Sequence, residues 1–148
     1  MLSREEAVRK HRAMWNWIGS MLKSGLWRNI IDTSMSDPWL ILEDPNALSV
    51  GDVVILLKYA YIHMIGDGHV CSSCYVCDYT VHTFGSCRYG TLCPIMWPNI
   101  AKSSLCSYSL YYLIRYKATS FKEAGDIAFE IANLPERRVI HEKGITKK

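Results

Sequence analysis

The chain has 148 residues, of which 49% are hydrophobic and 21% are charged, and its formal net charge at pH 7 is +3. This composition supports a packed core and excludes wholesale disorder, and the length predicts a single domain. The mild positive charge permits contact with nucleic acid without arguing for it. No apolar run reaches the roughly 18 residues that a membrane span needs, so we expect no membrane insertion.

The first 25 residues predict an amphipathic helix. Ser3 and Glu6 have the spacing of a capping box, in which each side chain binds the backbone amide of the other residue. Apolar residues then recur with a period near 3.6, and Gly25 is a suitable stop. His11 lies on the apolar stripe, where we expect a hydrogen-bonded core histidine in preference to a ligand or a base.

The rest of the chain predicts three further long helices. Residues 26–48 form an irregular connector, apart from a short helix that can begin at Pro38. Residues 49–65 are the most apolar stretch and predict a buried helix, although their β-branched residues also favour a strand. A helix from residue 103 or 104 to residue 115 or 117 follows, and a last helix runs from Ser120 to Pro135.

Five of the six cysteines lie between residues 71 and 93, and their spacing predicts a zinc site. Zinc takes four thiolate or imidazole ligands at tetrahedral corners, and two residues between two cysteines let both sulfurs face one ion. The preferred ligands are Cys74, Cys77, Cys87 and Cys93. The residues that can replace one of these four are Cys71, Cys106, His69 and His82.

The six cysteines are also compatible with disulfides, with buried free thiols, or with an iron–sulfur or redox centre. The chain begins without an apolar stretch behind a basic start, so we expect no secretory signal. In a reducing cytoplasm, clustered cysteines bind metal or catalyse more often than they cross-link. We therefore expect structural zinc and a cytoplasmic protein.

The predicted fold class is mainly α, a small helical domain with a zinc-knuckle-like cysteine lobe. Within the single domain 1–148, the helical core comprises residues 1–65 and 103–135. The cysteine-rich metal lobe comprises residues 66–98, and a charged, frayed tail comprises residues 136–148.

Tyrosines mark a candidate binding surface. Tyr108, Tyr112 and Tyr116 are spaced by four residues, so on a helix they share one face. Such a face can be the wet edge of a core or a recognition surface, because tyrosine is enriched at interfaces. Trp39, in the connector, either anchors that loop to the core or stacks on a ligand.

Five short motifs follow one another along the chain, at Met14–Ile18, Cys74/Cys77, Cys93–Trp97, Leu110-Tyr111 and Ile131–Pro135. In this order they resemble a family of small, largely uncharacterised cysteine-rich phage and prophage proteins. Those proteins open with a Met-Trp-x-Trp-Ile helix, continue with Cys-x-x-Cys and a Cys-Pro group followed by tryptophan, and close with Leu-Tyr and Ile-Ala-x-Leu-Pro segments. The chain departs from the family in the five residues between Cys87 and Cys93 and in residues 49–70, which look like an insertion. The resemblance implies a phage accessory protein in the cytoplasm of a bacterial host.

Three classes of function follow from these observations. The preferred one is a zinc-stabilised module that binds a host protein, for example an inhibitor of a bacterial defence system such as an anti-CRISPR. The second is a zinc-dependent nucleic-acid-binding regulator, for which the basic end of the chain is suited. The third is a small metal- or cysteine-dependent enzyme, but the sequence contains no zinc-deaminase, His-Glu-x-x-His or phosphate-loop motif, so we predict no catalytic residues.

Overall fold

The computed structural model describes residues 3–34, 49–65, 75–84, 93–98, 110–137, 140–141 and 144–145. These form a mainly helical fold, as predicted. The helices are α1 (Arg4–Ser24), α2 (Trp27–Ser34), α3 (Val50–Ala60), α4 (Tyr75–Phe84), α5 (Leu110–Tyr112) and α6 (Phe121–Ala132). Two π-helical turns, π1 (Tyr61–Ile65) and π2 (Leu113–Lys117), continue α3 and α5 respectively. A short antiparallel pair, β1 (Ile140–His141) and β2 (Gly144–Ile145), follows α6, with Ile140 opposite Ile145.

The predicted first helix is confirmed, together with its capping box. The Ser3 hydroxyl accepts a hydrogen bond from the Glu6 amide at 3.1 Å, and the Glu6 carboxylate accepts one from the Ser3 amide at 3.4 Å. The bond from the Ser3 backbone lowers the pKa of the Glu6 side chain, because it favours the charged carboxylate. The stripe that α1 buries consists of Ala7, Val8, His11, Met14, Trp15, Ile18, Gly19 and Leu22.

The last predicted helix is confirmed as α6, which packs along α1. The buried residues of α6 are mostly small, so the two helix backbones can approach closely. They are Ala124, Gly125, Ala128, Ile131 and Ala132. Beyond the helix, Arg12 of α1 donates a hydrogen bond to the Leu134 carbonyl at 3.0 Å, which fixes the exit of α6 on the same side of α1.

The connector prediction is wrong for residues 27–34, which form α2. Trp27 is buried, and its ring stacks on Phe121 of α6 with 4.7 Å between centroids. Tertiary burial of this one aromatic side chain supports a short helix whose sequence shows no long apolar repeat. The predicted short helix at Pro38 lies outside the described residues.

The apolar stretch 49–65 is helical, as predicted, and forms α3 and π1. Ser49 and Asp52 form a second capping box, which favours a helix start over a strand at this position. Core packing buries most of α3, including Val53, Val54 and Leu57. In the part of the chain that the structure describes, neither this helix nor any other is long and apolar enough to cross a membrane.

The start of the predicted charged tail is part of the folded structure. Glu136 forms an antiparallel bridge with Ile95, and the Arg137 amide donates a hydrogen bond to the Pro94 carbonyl at 2.6 Å. Arg4 of α1 forms an ion pair with Glu136. Backbone pairing therefore connects the first two residues of the predicted tail to the segment 93–98.

Gly51 gives a test of how closely π2 packs on α3. A Cβ atom at residue 51 would lie 1.9 Å from the carbonyl oxygen of Arg115, an atom that cannot move without the π2 backbone. We expect Gly51→Ala to lower the free energy of unfolding by about 1–3 kcal/mol, as overpacking does. Urea unfolding measures this, with exposed Lys122→Ala on α6 as the control, expected within about 0.5 kcal/mol of wild type. Equal stability of the two variants would contradict the close packing.

Candidate functional site

Cys77 lies in the first turn of α4. This helix begins at Tyr75, the residue directly after Cys74, and Cys77 is its third residue. The first turn of a helix has backbone N–H groups without intrahelical partners and the positive end of the helix dipole, which favour negatively charged groups such as thiolates. The backbone at Cys77 is therefore suited to a metal-binding thiolate. Cys74, Cys87 and the Cys77 side chain lie outside the described parts of the chain.

Cys93 belongs to a short core segment that forms a single bridge, between Ile95 and Glu136. Cys93, Pro94, Ile95 and Trp97 are buried, and Met96 is 44% exposed. The Cys93 carbonyl accepts a hydrogen bond from Arg137 Nε at 2.9 Å. This is the one preferred ligand whose side chain is described, and it belongs to the hydrophobic core cluster.

The two cysteine-bearing elements meet α1 at neighbouring residues. Lys10 Nζ lies 5.7 Å from the centroid of the Tyr75 ring of α4. The next residue, His11, contacts the Trp97 ring edge-on, with 5.9 Å between centroids. The middle of α1 is therefore a common support for the start of α4 and for the Cys93–Pro98 segment.

His11 is an anomaly at this junction. It is fully buried, as predicted for a core histidine, but neither of its ring nitrogens has a hydrogen-bond partner among the described residues. The predicted hydrogen bond is therefore absent from that part of the chain, and an unsatisfied buried polar group costs about 1–3 kcal/mol. The indole Nε1 of Trp97 is likewise buried with no partner in the described ranges. A histidine on an apolar stripe was the only sequence signal for this position.

The other candidate ligands are not brought together by the described structure. His82 is exposed on α4, and its Nδ1 lies 2.8 Å from the Asp78 carbonyl oxygen, so it is already hydrogen-bonded. Cys71, Cys106 and His69 lie outside the described residues. Among the residues that the structure describes, no group of three or more His, Cys, Asp or Glu side chains is arranged to hold a metal.

The predicted tyrosine face is present at its second and third positions. Tyr112 is 37% exposed and Tyr116 is 62% exposed, and their ring centroids are 5.2 Å apart. Leu113 beside them is 43% exposed. We call Tyr112, Leu113 and Tyr116 the tyrosine surface. Tyr108 and Trp39, the other two predicted binding residues, are outside the described parts of the chain.

Packing against α3 positions the tyrosine surface. Ile114 is fully buried, and the Arg115 carbonyl lies against Gly51. The Arg115 guanidinium also reaches the Asp52 carboxylate at 3.9 Å. These contacts pack the backbone of π2 against α3, and the exposed side chains of π2 project from the opposite side.

A buried lysine packs against α5, the helix that carries Tyr112 of the tyrosine surface. Lys58 of α3 is 5% exposed, and its Nζ lies 4.4 Å from the Tyr111 ring centroid and 5.7 Å from that of Trp15. Cation–π attraction offsets part of the cost of burying the ammonium. The contact joins α5, which carries Tyr112, to α3 and α1.

Two cations border the tyrosine surface. The Arg115 guanidinium lies 5.0 Å from the Tyr116 ring centroid, and Lys117 Nζ lies 5.9 Å from that of Tyr112. Both distances allow attraction between the cation and the ring face. The surface therefore combines exposed aromatic and aliphatic area with positive charge at its margin.

No protein-family model, no characterised protein and no solved structure matches this chain. Function must therefore be inferred from α4 and the segment 93–98, which carry cysteines and pack against α1, and from the tyrosine surface.

Protein purified without chelator is expected to contain about one equivalent of zinc by elemental analysis, because a structural site with thiolate ligands retains its metal. Cys74→Ser or Cys77→Ser should lose this metal and lower the thermal midpoint more than Cys71→Ser or Cys106→Ser does. Fully oxidised thiols without metal would contradict the site.

Cys93→Ser needs a separate control, because burial alone makes this change destabilising. The metal content of the Cys93 variant is therefore more informative than its thermal midpoint. For Cys77→Ser, excess chelator should remove the difference in stability from wild type, whereas a loss that persists without metal would indicate packing alone.

Proposed function

We propose that the chain is a phage-encoded, zinc-stabilised module that binds a protein of the bacterial host, such as a component of a defence system that an anti-CRISPR inhibits. The tyrosine surface is the observation on which this proposal depends. The phage origin and the bacterial host are what the motif resemblance implies, and the choice of a protein partner rests on the small, aromatic-rich chain without a catalytic motif.

The tyrosine surface has the properties of a protein-binding site. Tyrosine supplies a large rigid contact area at a low cost in conformational entropy, and it is enriched among the residues that dominate binding energies. Exposed Leu113 adds apolar area next to the two rings. Because Ile114 is buried directly beneath, little backbone ordering is needed on binding.

The two positive charges beside the tyrosine surface indicate which kind of partner fits. Arg115 and Lys117 border the rings, while the nearby Asp52 carboxylate is already within ion-pair distance of Arg115. Electrostatic complementarity favours a partner with an apolar centre and acidic residues around it. Such a partner would accept the tyrosine rings centrally and meet the two cations at the rim.

Zinc has a supporting part in this proposal. Residues 75–84 and 93–98 are short, and the cysteines in and next to them can join both to one ion. A structural zinc site contributes folding free energy directly. The metal would hold α4 against α1 and leave the tyrosine surface, on α5 and π2, free to bind.

The proposal predicts that binding depends on the tyrosine surface. With the partner identified by affinity purification from bacterial cells, Tyr112→Ala or Tyr116→Ala should weaken binding by about 2 kcal/mol or more, which is roughly thirtyfold in affinity. Leu26→Ala is the matched control, because Leu26 is an exposed apolar residue, 49% accessible, elsewhere on the molecule. Titration calorimetry measures all three variants.

A nucleic-acid partner held through its phosphates would give the reverse pattern, in which binding depends on the basic residues at the end of the chain and not on the tyrosine surface. Neutralising Arg138, Lys143, Lys147 and Lys148 to glutamine would then weaken binding strongly, and affinity would fall steeply with added salt. Deletion from Arg137 onward is unsuitable, because that residue bonds to Cys93 and Pro94. Steep salt dependence with an indifferent Tyr112→Ala would overturn the proposed function.

A further inference from the structure

We infer that Lys58 binds the carboxylate of an acidic side chain of the protein partner. This carboxylate site rests on the proposed function and deepens it, because it names the chemical group that the partner must place beside the tyrosine surface. Arg115 and Lys117 lie at the margin of that surface, whereas Lys58 is buried next to it.

The Lys58 ammonium is a buried positive charge without a negative partner in the described part of the chain. The residue is 5% exposed, and its contacts are the rings of Tyr111 and Trp15, whose centroids lie 4.4 and 5.7 Å from Nζ. Lysine is almost never fully buried unless it is paired. A contact with aromatic rings offsets only part of the cost of removing an ammonium from water. A buried charge that the fold leaves unpaired is therefore suited to pairing with a bound group.

The elements around Lys58 supply positive charge and almost no negative charge. The helices α5 and π2 contain no acidic residue, nor does α1 from Ala7 onward, and α3 contains only Asp52. The Asp52 carboxylate already accepts a hydrogen bond from the Ser49 amide at 3.4 Å and lies 3.9 Å from the Arg115 guanidinium. Electrostatic complementarity therefore favours an anion that comes from outside the chain.

Lys58 lies close to the surface where we propose that the partner binds. Tyr111, which contacts the ammonium, is only partly buried, and the next residue is Tyr112 of the tyrosine surface. A partner packed on that surface would shield an ion pair at Lys58 from water. A shielded pair contributes more than an exposed one, because charges attract more strongly in a medium of low dielectric constant. Lys58 would then slow dissociation, while Arg115 and Lys117 would mainly accelerate association.

A carboxylate fits this site better than a phosphate does. Phosphate groups are commonly bound by arginine forks or by the free N–H groups of a helix N-terminus. Lys58 lies inside the continuous helix formed by α3 and π1, where the backbone N–H groups are already bonded. The nearby guanidinium of Arg115 is within ion-pair distance of Asp52. One ammonium with its three donors is sufficient for a singly charged carboxylate.

Lys58→Met tests whether the ammonium serves the fold or a ligand. Methionine keeps an unbranched side chain and removes the charge, so the thermal midpoint of the free protein should match or exceed that of wild type, because an unpaired buried charge is lost. Lys122→Met is the matched control, since Lys122 is exposed on α6, and its midpoint should equal that of wild type. A midpoint that falls in Lys58→Met alone would assign the ammonium to the core and overturn the inference.

Two blocked peptides test the chemistry of the ligand on the full-length protein. They are acetyl-Leu-Glu-Leu-amide and acetyl-Leu-Gln-Leu-amide, which differ only in the charge of the central side chain. Wild type should bind the glutamate peptide about tenfold or more tightly than the glutamine peptide, as expected for a hydrogen bond between charged groups. Nuclear magnetic resonance of protein with isotope-labelled lysine should show the largest side-chain shift at Lys58.

The same titrations on the two variants locate the preference for glutamate. Lys58→Met should bind both peptides equally, whereas Lys122→Met should keep the wild-type preference. Equal binding of both peptides by wild type, or no glutamate-dependent shift at Lys58, overturns the inference. A larger shift at Lys58 with inorganic phosphate than with the glutamate peptide also overturns it.

Measurements on the identified partner separate the carboxylate site from the proposed function. If Tyr112→Ala weakens partner binding and Lys58→Met does not, the tyrosine surface stands and the carboxylate site is overturned. If the partner binds independently of Tyr112, the proposed function fails, and the peptide titrations still decide whether Lys58 takes a carboxylate. A glutamate preference that is present in wild type and lost in Lys58→Met supports the inference.

Discussion

Burial of the apolar stripe of α1 is the constraint on which the rest of the described structure depends. The helices α2, α3, α4 and α6 all pack against this one helix. Its core residues Met14, Trp15 and Ile18 are almost completely removed from water, and burial of each such side chain contributes about 1.5–3 kcal/mol. The other helices are short, so most of their stability must come from this packing and little from their own sequences.

The two functional features use different parts of this arrangement. The N-terminal half of α1 contacts the start of α4 and the Cys93–Pro98 segment, where we propose zinc. The tyrosine surface instead stands on α3, through Ile114, Gly51 and the buried Lys58. The proposed metal ion and the proposed protein partner would therefore use different residues, and each proposal can be tested while the other site is left unchanged.

The predictions that held were those that depend on neighbouring residues. The capping box at Ser3 and the stop at Gly25 are local, because each involves hydrogen bonds or backbone angles within about four residues. The pairing of Tyr112 with Tyr116 is local for the same reason. The zinc ligand set and the partner stay predictions, and each has its own measurement.

The sequence by itself determined where α1, α3 and α6 lie, because the period of apolar residues and the capping residues are properties of each segment alone. Only the tertiary structure decided that residues 27–34 are helical, since Trp27 is buried by Phe121, which lies far along the chain. It also decided that Glu136 and Arg137 belong to the fold, and that His11 is buried beside Trp97 with no hydrogen bond to any described residue. All of these are contacts between segments that are far apart in the sequence. A local sequence pattern cannot predict them, because the segments meet only when the core forms.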